Sequence, residues 1–155
     1  MKRLLLVVFM FGLLCLTNLA FAQVKNIDIN CDKDPDVSGL GLTIDNHQPG
    51  GVYQLNPSDV KTFSFESRSV STKGEDMLKK LNKTGLNACV LDYLMSNKEL
   101  IPEAWKSKQV FFPGTTFKDS GGNLCVRFIY WWDNRWIAGL LYLSESYDDK
   151  VAAIK

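Results

Sequence analysis

Beyond its first 22 positions, this chain has few residues suited to chemistry: three cysteines, one histidine and a run of alternating aspartates. Cys31, Cys89, Cys125 and His47 invite a thiol–imidazole pair, in which the imidazole takes the thiol proton and leaves a nucleophile. Their settings argue against it. His47 sits in a turn-rich stretch beside Asp45 and Asn46. Cys89 falls on the apolar stripe of an expected helix, where cysteine behaves as a small hydrophobe. The same four residues make a poor zinc set, because structural zinc takes four ligands in closely spaced pairs. Asp32, Asp34 and Asp36 alternate like the start of a calcium loop, but Val37 stands where the turn needs glycine and Thr43 where the ion needs glutamate. Glu99 and Glu103 flank Pro102 and read as helix-start charges. No Gly-x-Ser-x-Gly elbow or glycine-rich phosphate loop occurs. The expectation is no catalytic residue, no metal and no cofactor. A small secreted hydrolase or thiol enzyme using Cys89, Cys125 or His47 is the alternative.

The aromatic residues are more telling. Asp133-Asn134 is a two-residue turn of the kind that tolerates positive φ. It makes Trp132 face Arg135, Trp131 face Trp136 and Tyr130 face Ile137, and facing residues share one side of a sheet. One side then collects Leu124, Val126, Phe128, Tyr130 and Trp132 with Leu141 and Leu143, joined by Phe111 and Phe117, and is expected to be the core. The other collects Cys125, Arg127, Ile129 and Trp131 with Trp136 and Tyr142. There Phe112, Trp131 and Trp136 line up across three strands, with Gly114 beside them. Leaving three such rings in water forgoes about 1.5–3 kcal/mol each. Either another element covers the row as a second core, or the row is a stacking platform, or it self-associates. The residues expected to bind a ligand are Phe112, Arg127, Trp131, Trp136 and Tyr142.

Elements must position these rings. Residues 74–83 and 86–97 read as helices. In the second, Leu86, Cys89, Val90, Tyr93 and Leu94 make one apolar stripe, the expected cover for the core side. Residues 110–117, 124–132 and 135–143 read as strands. Short strands are expected near 40–44, 52–55 and 60–65, with a turn at 56–59. The expected fold class is α+β: two helices packed on a C-terminal three-stranded antiparallel meander, with additional short strands from the N-terminal half.

Three strings here occur together: Leu100-Ile101-Pro102-Glu103-Ala104-Trp105-Lys106, Phe111-Phe112-Pro113-Gly114-Thr115, and Tyr130-Trp131-Trp132 through Arg135-Trp136. Residues 91–153 thereby resemble small bacterial proteins of unknown function that share such a turn, strand and Trp-rich hairpin. The resemblance implies a domain and no chemistry.

The first 22 residues supply an address. Lys2 and Arg3 precede an apolar run, Leu4 to Leu16, and Ala20-Phe21-Ala22 gives the small-x-small pattern of signal cleavage. The run is too short for a bilayer core of roughly 30 Å. Residues 1–22 are therefore expected to be a signal peptide and residues 23–155 a single globular domain, periplasmic or extracellular. Removing Lys2 and Arg3 takes the 18 basic residues to 16 against 17 acids, and the formal charge from +1 to −1. That gives no electrostatic case for nucleic acid or an anionic membrane. The function expected is a non-enzymatic binding module for a sugar, peptide or protein, with a secreted inhibitor or effector as a further alternative.

Overall fold

In a computed structural model of the chain, residues 26–56, 60–64, 73–81, 83–147 and 150–155 are described. The leader expected over 1–22 and most of the turn expected over 56–59 lie outside them.

Strands β7 (Leu124–Trp132) and β8 (Arg135–Tyr142) are rich in β-branched and aromatic residues. Asp133 and Asn134 join them at φ 49° and 55°, the left-handed conformation that a two-residue hairpin turn requires. The register follows from that turn: Trp131 faces Trp136 and Trp132 faces Arg135.

The segment expected as one strand over 110–117 is two. Strands β5 (Gln109–Phe111) and β6 (Thr115–Lys118) both pair with β7. Between Phe111 and Phe117 the chain takes six steps, while β7 takes three from Phe128 to Cys125. The odd excess turns every side chain beyond the break to the opposite face. Phe111 therefore packs with Val126 and Phe128, whereas Phe117 packs with Cys125, and the expectation that the two share a face is corrected. The break sits at Pro113, which has no N–H to pair, and at Gly114, whose N–H donates to Leu86 O at 2.9 Å and whose carbonyl accepts from Gln48 N at 2.8 Å.

The two halves then recruit different neighbours. Strand β6 pairs with β2 (Thr43–His47). Strand β5 runs parallel to β9 (Lys150–Ile154), which in turn pairs with β4 (Lys61–Ser64). Seven strands form one curled, half-barrel sheet in the order β2-β6-β7-β5-β9-β4, with β8 on β7. Strands β1 (Ile27–Asn30) and β3 (Val52–Leu55) make a separate ribbon. The helices α1 (Gly74–Leu81) and α2 (Ala88–Ser96) are short. The α+β fold expected, two helices packed on a three-stranded meander, is therefore incorrect, and the described chain is mostly β. The reason is physical: a broken strand offers two docking edges, and the distant strand β9 fills one of them.

Both faces of β7 are covered. Helix α1 sets Met77 and Leu81 against Val126, Phe128 and Leu141. Helix α2 sets Val90, Leu91 and Leu94 against Ile129, Phe112 and Trp136, the face opposite to the one expected. Its preceding residues hold it there, because Leu86 N donates to Ala153 O at 2.9 Å and Leu86 O accepts from Gly114 N.

Candidate functional site

The aromatic row assembles but does not lie open. Trp131 and Trp136 pack edge to face with centroids 5.2 Å apart. Trp105, carried on the turn Glu103–Trp105, meets Phe112 edge-on at 6.4 Å. Phe112, Trp136 and Trp105 are all buried in the cluster under α2. Phe112 and Trp136 are thus core residues, because Trp105 and α2 fill the space above them. Trp131 stays half-buried, with Lys106 Nζ 4.2 Å from its ring centroid and that same ammonium 2.8 Å from Glu103 Oε2.

Trp132, assigned to the core face, is 66% exposed. Parity put it on the α1 side, but on that side Phe128 is buried, Tyr130 only partly so, and the cover ends there. The hairpin overshoots its core. Around the tip, Trp131, Trp136, Arg135, Asn134, Lys98 and Glu99 border an open recess of about 310 Å³.

The remaining two expected residues stand elsewhere. Arg127 is buried and its Nη1 donates to Asp92 Oδ1 at 2.6 Å. Burial pushes the Asp92 carboxyl up, against the opposing pull of the guanidinium. Tyr142 faces Cys125 at the far end of the hairpin, and the nearby Asp119 carboxylate raises its phenol. The five residues therefore fall into three places and not one surface.

The chemical candidates are held in structural bonds. A carbonyl can only accept, so His47 Nε2 donates to Cys31 O (3.0 Å), leaving Nδ1 to face Thr115 Oγ1 at 2.8 Å. Asn87, the N-cap of α2, accepts from Cys89 N through Oδ1 and donates from Nδ2 to Cys31 O at 2.8 Å and Gln48 O at 3.1 Å. Cys89 Sγ donates to Lys33 O at 2.9 Å and does not engage the imidazole. Burial pushes the thiols of Cys89 and Cys125 up to about 11 and raises that of Cys31, the opposite of what a nucleophile needs. Asp36 caps a turn by accepting from Ser38 N, and Asp32 accepts from the distant Gly51 N, at 2.8 Å each. Among the described residues, no group of three or more His, Cys, Asp or Glu converges as a metal site.

One feature escaped sequence reasoning. A cleft of about 420 Å³ lies between α2 and the loop after β1, bordered by Ile29, Lys33, Asp36, Cys89, Asp92 and Tyr93. Its sequence signal is slight: on the apolar stripe of α2, Val90 and Leu94 are buried while Cys89 and Tyr93 stay half-buried at the edge.

No protein-family model matches this chain, and comparison with curated proteins and with solved structures yields no match.

Proposed function

We propose that the chain is exported on a leader cleaved after Ala22 and acts in the periplasm or outside the cell as a non-enzymatic binding module. Its contact surface is the tip of the β7–β8 hairpin. The observation that carries this reading is Trp132, 66% exposed beside its cross-strand neighbour Arg135. Burying such a ring on a partner is worth about 1.5–3 kcal/mol, and tryptophan and arginine are the residue types that dominate binding hot spots. The two-residue turn holds the ring on a stiff support, so little ordering cost falls on binding.

Trp131 and Trp132 project from opposite faces of one strand end. Two indoles so placed cannot stack on a single sugar ring, but together they form a wedge that suits a groove in a partner protein. The recess beside Trp131 adds Lys98, Glu99 and Arg135 for polar contacts at the rim. The resemblance over residues 91–153 adds no activity. The thiol-enzyme alternative is disfavoured by the raised thiols and by the bonds that engage His47. No helix among the described residues is long and apolar enough to cross a membrane.

The test uses the mature protein as bait in the exported fraction, with Trp132→Ala and the remote Lys79→Ala as comparison. A partner that binds the wild type and Lys79→Ala but is lost with a folded Trp132→Ala supports the wedge. Equal capture by Trp132→Ala overturns it, and binding of a soluble oligosaccharide at Trp131 alone replaces the protein partner with a glycan.

A further inference from the structure

Cys31 and Cys89 are far apart in the chain but come to one part of the fold, both as free thiols, with Cys89 at the border of the cleft. Cys31 directly follows β1, Cys89 lies in the first turn of α2, and both side chains belong to one apolar cluster. A single amide joins them: Asn87 Nδ2 donates to Cys31 O while Asn87 Oδ1 accepts from Cys89 N. The Cys89 thiol hydrogen-bonds Lys33 O, two residues beyond Cys31. Cys125 stands apart in another cluster, with Ala88, Phe117 and Leu42, its sulfur toward Phe117 O at 3.7 Å.

We infer that Cys31 and Cys89 are a disulfide pair, which clamps the loop after β1 to the N-terminus of α2 and leaves Cys125 as the unpaired thiol. The inference rests on the export reading for its setting, since an oxidising compartment supplies the disulfide donor. Cys89 borders the cleft and is the sulfur an external disulfide reaches first. Its thiolate attacks the donor, forms a mixed disulfide and expels one donor thiolate. The Cys31 thiolate then attacks the Cys89 sulfur and expels the other. The two cysteines lose two protons and two electrons, and the donor disulfide becomes two thiols. Lys155 favours the second attack: its ammonium borders Gly50 together with Cys31 and draws the Cys31 thiol down against the rise from burial. Forming the bond requires Cys89 to release Lys33 O, so oxidation also resets one wall of the cleft.

The experiment incubates the purified protein with oxidised glutathione, then denatures it, alkylates the remaining thiols and maps the peptides by mass. The expected product joins the Cys31 and Cys89 peptides, two hydrogens lighter than the pair, with Cys125 alkylated. Its denaturation midpoint should rise above that of the reduced protein, and this rise should persist in Cys125→Ala and vanish in Cys89→Ala. Three alkylated thiols in the wild type, or a principal bridge that includes Cys125, overturns the pairing without needing any variant to fold. Export is read separately, from the first residue of the protein recovered from cells. An intact leader in the cytoplasm overturns the export reading while leaving the bridge measured in vitro untouched.

Discussion

Arg127 reaches from β7 to α2, where its Nη1 donates to Asp92 Oδ1 at 2.6 Å and ties the sheet to the helix that covers the tryptophans. The guanidinium side chain is 10% exposed and the carboxylate 33%, so water reaches one partner and hardly reaches the other. Removing the carboxylate strands a buried cation. Asp92→Ala should therefore cost about 2 kcal/mol, read as a lower urea midpoint. Arg127→Met with Asp92→Leu, which removes both charges and keeps the packing, should cost less than Asp92→Ala alone.

Acid should act through Asp45. Its Oδ1 lies 2.6 Å from Lys118 Nζ, and its Oδ2 accepts from Thr116 Oγ1 at 3.1 Å. The Lys118 bond holds the carboxyl below its usual range. A carboxyl depressed in the folded state contributes stability that is complete above the ordinary value of about 4 and lost as pH falls through the folded value. Asp45→Asn should flatten the decline of Tm below about pH 4. Near pH 7 the change should be small, about 0.5 kcal/mol, because the pair is partly exposed.

Gly114 is where the broken strand touches the segment preceding α2. A Cβ there would lie 2.8 Å from Gly85 O and 2.9 Å from both Asn87 N and Leu86 C, all backbone. At Gly139 the obstacle is the Phe128 ring, which can shift. Gly114→Ala should cost about 3 kcal/mol in denaturant unfolding, more than Gly139→Ala. Equal costs would mean that the break is not the anchor described.

The tryptophans should separate cleanly. Trp136→Ala removes a buried ring and should cost about 3–5 kcal/mol, whereas Trp132→Ala should stay within about 0.5 kcal/mol. Acrylamide quenching should find one strongly accessible indole, absent in Trp132→Ala. Unchanged quenching in that variant would remove the exposed wedge and with it the proposed contact surface.

These outcomes divide along what a local reading of residues can reach. The pairing of Trp131 with Trp136 was legible because it depends on the two backbone positions Asp133 and Asn134 and on nothing distant. Helix α2 was legible because its apolar stripe has a period, although its N-cap at Asn87 emerged only in the structure. The break at Pro113-Gly114 was not, because its odd register depends on the bond that Gly114 N donates to Leu86 O and the one its carbonyl accepts from Gln48 N. Alternation alone therefore places Phe117 on the face opposite to the one it occupies.

The sequence by itself determined the parity of the last hairpin, the stripe of α2 and the absence of familiar catalytic spacings, since each follows from neighbours a few residues apart. Only the tertiary structure decided which rings meet water. Trp105 seals Phe112, α2 covers Trp136, and the cover under α1 stops short of Trp132. Exposure depends on how far a covering element from another part of the chain extends, and alternation along one strand carries no record of that length.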